Sequence, residues 1–279
     1  MSRQKAVMKS RREVRRMLRK DMRQSRYRND NNVTSLVQID GVEAIGMARE
    51  NRDISEILPR NEVQYRYMRA IHNKQLVIAN GEAGCGKTFI STAMAVDALI
   101  NKEVEKIIVT RPVLQAEEDL GYLPGDIAEK FAPYFRPVYE VLLKRMGASF
   151  LQYCLRPEIG KVEIAPFAYM RGRTFENAFV ILDEAQNVTV NQMKMFLTRL
   201  GENVTVIVNG DISQCDLPQN VTSGLADAIK RFSDDEAISV IQFSQADCVR
   251  SRLCQKALLA YNGLSVGKKV GEKTVCYSN

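Results

Sequence analysis

The sequence is poor in histidine and has no paired cysteine motif, and both scarcities exclude classes of chemistry. Its single histidine, His72, leaves little material for histidine-based catalysis or for a histidine-rich metal site. Six cysteines are scattered over the 279 residues without the C-x-x-C spacing of a zinc site. Cysteines placed in this way are typical of reduced thiols, so we expect a cytoplasmic protein.

Long apolar runs are missing as well. No run approaches the roughly 18–20 residues that a membrane span requires. The basic N-terminus also lacks the apolar core of a secretory signal. Hydrophobic residues make up 45% of the chain and charged residues 26%, as in ordinary globular proteins. The composition therefore predicts a globular protein without a membrane partner.

Positive charge is concentrated at the N-terminus. Residues 1–28 contain twelve Lys or Arg and two acidic residues, which gives this segment a net charge of +10. The whole chain has a net charge of +7, so the other residues together carry about −3. A basic arm of this kind can bind RNA or single-stranded DNA by displacing counterions from phosphates. It can equally be a solvated tail or a helix that docks on an acidic partner.

From about residue 58, apolar β-branched runs alternate with longer amphipathic stretches. The runs predict strands at 75–80, 106–112, 162–166, 178–184, 204–211 and 238–243. Helical patterns lie near 63–73, 87–101, 126–146, 190–200, 223–231 and 249–262. Such alternation is typical of an α/β fold with a mainly parallel sheet and helices on both faces. We divide the chain into a basic arm and linker (1–57), a nucleotide-binding domain (58–263) and a polar tail (264–279).

A glycine-rich motif follows the first predicted strand. The stretch "GEAGCGKT" fits G-x-x-x-x-G-K-[ST], and it opens the helical pattern at 87–101. A strand before it and a helix after it favour a phosphate-binding P-loop over a chance glycine-rich turn. Lys87 is expected to reach the β- and γ-phosphates, and the Thr88 hydroxyl to bind Mg²⁺. The predicted nucleotide-binding residues are Gly81, Glu82, Ala83, Gly84, Cys85, Gly86, Lys87 and Thr88.

Two acidic residues end the apolar run "FVILDE". A buried strand would deliver Asp183 to the edge of the sheet beside the P-loop, where it is expected to hold Mg²⁺. Glu184 is then placed to orient and deprotonate an attacking water. The alternative is a pair of surface acids at the end of a strand. An acid pair also favours hydrolysis over transfer to a small-molecule acceptor, so a metabolite kinase is a weaker hypothesis.

Two glutamines extend the predicted site. Gln214 lies in "NGDISQ", after a strand, and is a candidate contact to the γ-phosphate or to the attacking water; Asp211 precedes it. Gln64 lies upstream of the P-loop, and its amide can pair with both N6 and N7 of adenine, which favours ATP over GTP. By itself, a helical glutamine is more often solvated.

Four arginines are candidate phosphate contacts: Arg111, Arg171, Arg173 and Arg250. Arg250 is our first candidate for a γ-phosphate contact, and we expect some of the others to form ordinary salt bridges. Arg171 and Arg173 share the motif "YMRGRT", where either could meet a phosphate of the nucleotide or of a nucleic acid.

These motifs together resemble the PhoH family of P-loop ATPases, over about residues 59–262. The matching blocks are "GEAGCGKT", "NGDISQCDLP", "TRPVLQAEEDLGYLPGDIAEKFAPYFRPVYEVL" and "VEIAPFAYMRGRTFENAFVILDEAQNVTVNQMKMFLTRLG". The resemblance implies a RecA-like P-loop NTPase fold, related to the cores of superfamily-one helicases. It also implies helicase-like nucleotide roles for Gln64, Asp183, Glu184, Gln186 and Gln214. Cys85 and Glu82 stand where the family more often has Thr and Pro, both at variable positions of the loop.

Two functions remain open at this point. The first is a Mg²⁺-dependent ATPase that acts on RNA or single-stranded DNA. With one P-loop in the chain, it would need to assemble with copies of itself, as a hexameric ring for example, so that a neighbour supplies an arginine. The second is a nucleotide-regulated stress or phosphate-response switch, with slow hydrolysis and no unwinding.

Overall fold

A single parallel sheet forms the centre of the domain. A computed structural model of the chain describes residues 52–112 and 127–249. Every neighbouring pair of strands is parallel, and the strand order is β3-β2-β4-β5-β1-β6. The strands are β1 Leu76–Asn80, β2 Lys106–Arg111, β3 Val162–Pro166, β4 Ala178–Leu182, β5 Val204–Gly210 and β6 Ile238–Gln242.

Helices cover both faces of this sheet. The helices are α1 Glu62–Asn73, α2 Lys87–Ile100, α3 Ile127–Met146, α4 Ala148–Cys154, α5 Val190–Leu197 and α6 Gly224–Phe232. Helices α1 to α4 share one apolar cluster with the sheet, and α5 and α6 share the other. Short 3₁₀ turns follow four strands: Phe167–Met170 after β3, Ala185–Asn187 after β4, Ile212–Gln214 after β5 and Gln245–Asp247 after β6.

The central strands are apolar throughout because both of their faces are buried. In β1, Val77 and Ala79 pack in the cluster of α1 to α4, whereas Leu76 and Ile78 pack in the cluster of α5 and α6. Successive side chains of a strand point to opposite faces, so a strand between two helical layers is apolar at every position.

The strand order brings the carboxyl ends of four central strands to one edge. Strand β5 lies between β1, which precedes the P-loop, and β4, which precedes Asp183. Strand β2 lies on the other side of β4, and its last residue is Arg111. Ligands of open parallel sheets bind at this edge, so the topology gathers the candidate residues there.

The predicted fold class is confirmed, with strand ends within two residues of those expected. Strand β4 ends at Leu182, two residues earlier than predicted, because Glu184 adopts a left-handed backbone conformation. Helix α4 was not predicted, since seven residues are too few for a periodic pattern. The predicted arm, the helix at 249–262 and the polar tail lie almost entirely outside the described residues. No helix within the described ranges has the length and apolarity to cross a membrane.

Candidate functional site

The P-loop curls between β1 and α2 through positive backbone angles. Gly81, Gly84 and Gly86 have φ of 144°, 90° and 87°. At Gly81 a Cβ atom would lie 2.3 Å from the carbonyl oxygen of Phe243, so a side chain is excluded by contact as well as by conformation. The glycines let the backbone curl at the start of α2, as a loop that cradles phosphates requires.

Backbone hydrogen bonds hold this loop from two sides. The N–H of Gly81 donates to the carbonyl of Gly210 at the end of β5, at 3.1 Å. The N–H of Val249 donates to the carbonyl of Gly84, also at 3.1 Å. The loop is therefore fixed against the sheet and against the segment after β6 by contacts that do not depend on its own side chains.

Gln64 reaches the loop from α1 and is only 3% exposed. Its Nε2 donates to the carbonyl of Cys85 at 2.8 Å, and its Oε1 accepts from the N–H of Arg60 at 2.8 Å. The structure thus places Gln64 beside the P-loop, as a brace between the start of α1 and the loop. An amide has a second N–H and a second lone pair, so the predicted contact with adenine is chemically compatible with both bonds.

Lys87 is buried at the first position of α2. Its ammonium donates to the carbonyls of Gly81 and Glu82, the latter at 3.0 Å. Burial lowers the pKa of Lys87, and the nearby charges of Asp211 and Asp183 partly offset that effect. The cation is therefore held under the loop, where charge from a phosphate would favour its protonated form.

Below Lys87, a buried polar chain joins three elements. The hydroxyl of Tyr67 donates to Asn209 Oδ1 at 2.7 Å, and Asn209 Nδ2 donates to Ser91 Oγ at 2.9 Å. Ser91 Oγ donates in turn to the carbonyl of Lys87 at 2.9 Å. This chain links α1, β5 and α2 directly beneath the P-loop. No sequence motif marks this chain, and its one local signal is Asn209, a polar residue inside an apolar strand.

Thr88 and Asp183 form the candidate metal site. Thr88 Oγ1 donates to Asp183 Oδ1 at 3.0 Å, although the two residues are 95 positions apart. Asp183 is 5% exposed. Its burial raises the pKa to about 6, the charge of Glu184 adds to the rise, and Thr88, Arg111 and Lys87 partly oppose it. A buried carboxylate next to a second carboxylate is stabilised by a cation, and oxygen donors of this type suit Mg²⁺.

The candidate metal site is a small set of protein ligands. Within residues 52–112 and 127–249, no group of three or more His, Cys, Asp or Glu side chains could hold a metal. Mg²⁺ characteristically uses one or two protein ligands and completes its shell with phosphate oxygens and water. The Thr88–Asp183 pair fits that pattern.

Glu184 is held through both carboxylate oxygens. Its Oε1 lies 3.4 Å from Arg111 Nη2, and its Oε2 accepts from Gln186 Nε2 at 2.6 Å. Arg111 is itself anchored, since its Nη1 donates to the carbonyl of Tyr134 at 2.9 Å. The backbone of Glu184 is left-handed, with φ 54° and ψ 39°, which turns the chain directly after Asp183. Such conformations are uncommon outside glycine.

Gln186 connects Glu184 to the end of β5. It is buried, and its Oε1 accepts from the N–H of Asp211 at 3.0 Å. Gln214 is exposed, and its Nε2 donates to Asp211 Oδ2 at 2.8 Å. The structure therefore brings Gln64, Gln186 and Gln214 to this edge of the sheet. The buried Gln186 joins the acidic pair after β4 to the turn after β5.

The candidate arginines separate by their contacts. Arg111 holds Glu184, whereas Arg173 forms a two-bond ion pair with Glu163 and lies over the Phe175 ring. Arg171 is exposed. Arg250, our first candidate for the γ-phosphate, lies outside the described residues. The importance of Arg111 was underestimated from the sequence, because its partner Glu184 is 73 positions away.

Cys85 packs as a small buried residue within the loop. Its Sγ lies 3.7 Å from the carbonyl of Ser244, and burial raises the pKa of its thiol to about 11. A protonated, buried thiol is a poor nucleophile. The cysteine in the P-loop therefore fills space rather than adding reactivity.

The parallel sheet, the glycine loop at the start of α2 and the strand-borne Asp183 beside Thr88 define the P-loop NTPase class. The model of the family described as PhoH-like protein matches residues 56–262. The chain belongs to the PhoH family.

Relatives agree with this assignment over most of the chain. It is 71% identical over 262 residues to Protein PhoH of Escherichia coli strain K12, covering 94% of this chain and 74% of that protein. It is 49% identical over 199 residues to the PhoH-like protein of Bacillus subtilis strain 168, covering 71% and 62%. The chain thus spans less than two thirds of the Bacillus protein's length.

One solved structure shows a distant likeness. The Sulfolobus solfataricus SWI2/SNF2 ATPase core in complex with dsDNA is similar with a TM-score of 0.41 and 14% identity. The match covers 70% of this chain and 46% of that one.

Proposed function

We propose that this domain binds ATP with Mg²⁺ and hydrolyses it to ADP and phosphate. The observation that carries the proposal is the hydrogen bond between Thr88 and Asp183, with Glu184 as the next residue. A hydroxyl from the P-loop helix and a carboxylate from a buried strand converge on one point, and a second carboxylate stands beside them. This is the minimum set for positioning a metal–phosphate complex and an attacking water.

Each residue then has a defined task. The backbone N–H groups of residues 81–88 and the Lys87 ammonium bind the phosphates, while Thr88 and Asp183 hold the metal. Mg²⁺ would neutralise charge on the β- and γ-phosphate oxygens. Glu184 orients the water and accepts its proton, and Arg111 and Gln186 keep the Glu184 carboxylate at one position.

Adenine recognition is assigned to Gln64. Its amide already bonds the P-loop carbonyl of Cys85 and the N–H of Arg60. Its remaining N–H and lone pair match the acceptor N7 and donor N6 of adenine. The same side chain would thus couple the identity of the base to the shape of the phosphate loop.

We further propose that hydrolysis is coupled to RNA or single-stranded DNA, in a cytoplasmic homo-oligomer. Arg111 is committed to Glu184 and Tyr134, which makes it a poor contact for the γ-phosphate. Arg250 or an arginine of a neighbouring copy would complete the site, as in a closed ring. The basic residues 1–28 add affinity for phosphates without sequence preference.

The test is phosphate release measured with Mg²⁺ or with a chelator, with and without RNA or single-stranded DNA, over a range of protein concentrations. The proposal predicts Mg²⁺-dependent release whose specific rate rises with protein concentration and with a nucleic acid. Phosphate release that is absent in every condition would refute the hydrolase. A rate of phosphate release that neither RNA nor single-stranded DNA changes would favour the nucleotide-regulated switch.

A further inference from the structure

An exposed tyrosine stands on the same edge of the sheet as the candidate nucleotide site. Tyr169 lies in the 3₁₀ turn that follows β3, and it is 51% exposed. Its neighbours in the turn, Phe167 and Met170, are buried in the cluster of α5 and α6. The turn is therefore anchored from below, and it presents the Tyr169 ring on a rigid base.

Two residues further on lies Arg171, an arginine that has no partner among the residues that the structure describes. Arg171 is exposed and makes no hydrogen bond or ion pair within the described part of the chain, whereas Arg173 is committed to Glu163. Gly172 between them has φ 80° and open space where a Cβ would stand. The two arginines of one motif thus have different tasks: Arg173 stabilises the turn, and Arg171 is free to bind an anion.

This surface adjoins the candidate catalytic residues through β2. Pro166, the residue before the turn, is paired in register with Arg111, and Arg111 contacts Glu184. Strand β3 is separated from β4 by β2 alone, so their carboxyl ends are roughly 10 Å apart at the usual strand spacing. A ligand on Tyr169 and Arg171 would therefore lie close to the residue that holds Glu184.

We propose that Tyr169 and Arg171 bind a nucleic acid strand, with the tyrosine ring stacked on a base and the guanidinium paired with a phosphate. Aromatic rings and arginine are the two side-chain types that single strands use in this way. A protein partner fits less well, because a stable interface buries about 800 Å² on each side. Among the described residues, the exposed chain neighbours of Tyr169 are the small Ala168, the charged Arg171 and Gly172, and these three do not form a broad apolar patch.

The inference rests on the proposed function in one respect: it takes nucleic acid as the coupled ligand. It differs from the role of the basic arm, where twelve Lys or Arg stand beside a single aromatic residue, Tyr27, and charge is therefore the main contribution. The loss of a stacking contact and the loss of a phosphate contact also change the salt dependence of the binding affinity in different ways. A lost phosphate contact lowers the salt dependence of binding, and a lost stack lowers affinity at every salt concentration.

The test uses the full chain and fluorescence anisotropy of labelled single-stranded RNA and DNA oligonucleotides, without nucleotide and across salt concentrations. Tyr169→Ala is expected to weaken binding about 5- to 100-fold at an unchanged salt slope, and Tyr169→Phe to restore most of the affinity. Arg171→Ala is expected to reduce the slope of log affinity against log salt by about 0.7. The RNA and DNA arms tell which strand is preferred.

Matched controls come from the same domain. Tyr139→Ala removes a tyrosine of similar exposure from α3, and Arg156→Ala removes an exposed arginine that precedes β3, at the opposite edge of the sheet. Both controls should bind like the wild type, and thermal unfolding of all variants checks the fold. Equal losses in controls and test variants, or full affinity after Tyr169→Ala, would overturn the proposal.

The result of this binding test can be distinguished from the result of the ATPase test. If the wild-type protein hydrolyses ATP but binds neither oligonucleotide, the proposed nucleic-acid surface is refuted and the proposed ATPase activity is not affected. Binding that depends on Tyr169, in a protein that never releases phosphate, would support the surface and refute the ATPase. If Tyr169 and Arg171 bind a protein and neither oligonucleotide, the surface belongs to another class of partner and the proposal is contradicted.

Discussion

The buried, ionised carboxylate of Asp183 destabilises the folded state. Replacing Asp183 with a neutral residue should therefore make the metal-free protein more stable. Burial and the Glu184 charge raise the pKa of Asp183 from 3.8 to about 6. Each tenfold change in proton affinity corresponds to about 1.4 kcal/mol. The ionised carboxylate therefore destabilises the folded state by about 3 kcal/mol at neutral pH, relative to an unperturbed aspartate. Asp183→Asn removes this charge and keeps an oxygen that can accept from Thr88.

The assay is thermal unfolding in a chelator. For a domain of about 200 residues, about 3 kcal/mol corresponds to a rise in Tm of roughly 6–12 °C. The effect also has a defined pH dependence. Because the folded-state pKa is raised, the folded protein binds the proton more tightly than the unfolded chain between about pH 4 and pH 6. The stability of the wild type should therefore increase as pH falls through that window, and the advantage of Asp183→Asn should disappear below it.

Metal supplies the second half of the test. Mg²⁺ with ATP should raise the Tm of the wild type, since a ligand that binds only the folded state stabilises it, and should raise that of Asp183→Asn far less. Glu184→Gln is the matched control, because it removes the neighbouring charge but leaves Asp183 ionised, so its gain in Tm should be smaller. A lower Tm for Asp183→Asn in chelator at pH 7 would refute the reasoning, because the carboxylate would then be stabilising.

Three further predictions concern binding and catalysis. Lys87→Ala should lose measurable ATP binding by calorimetry, because the ammonium group that lies under the loop is removed; tight binding by this variant would disprove the P-loop assignment. Glu184→Gln should bind ATP normally but release phosphate at least ~100-fold more slowly, if Glu184 is the base; near-normal turnover would exclude Glu184 as the base and leave Gln214 as the residue that orients the water. Deletion of residues 1–28 should weaken binding to single-stranded nucleic acid and flatten its salt dependence, whereas an unchanged slope would leave the arm without a role in binding.

Much of the fold could be predicted because its signals are local. Continuous apolar runs mark strands that are buried on both faces, and the spacing of the P-loop glycines marks a phosphate cradle at any position in a chain. The order of the strands has no such local signal. That β5 separates β1 from β4 follows only from the packing of the whole sheet.

Within the candidate site, the residues that could be predicted from the sequence are those whose local motif already indicates their role. Lys87, Thr88 and Asp183 belong to recognisable patterns, and the structure brings them together. Arg111 was one of four candidate arginines and Arg250 was preferred, since an arginine acquires its role from the partner that it meets. Only the register of β2 beside β4 shows that this partner is Glu184.

The sequence by itself determined the class of the domain: a parallel sheet, a P-loop and a strand-borne acidic pair. These depend on side-chain periodicity and on the backbone freedom of glycine, which act over a few residues. The tertiary structure alone decided which groups meet. It placed Thr88 against Asp183 and Arg111 against Glu184, and it separated the structural Arg173 from the exposed Arg171. Contacts between residues far apart in the chain depend on strand order and burial, and no local pattern encodes them.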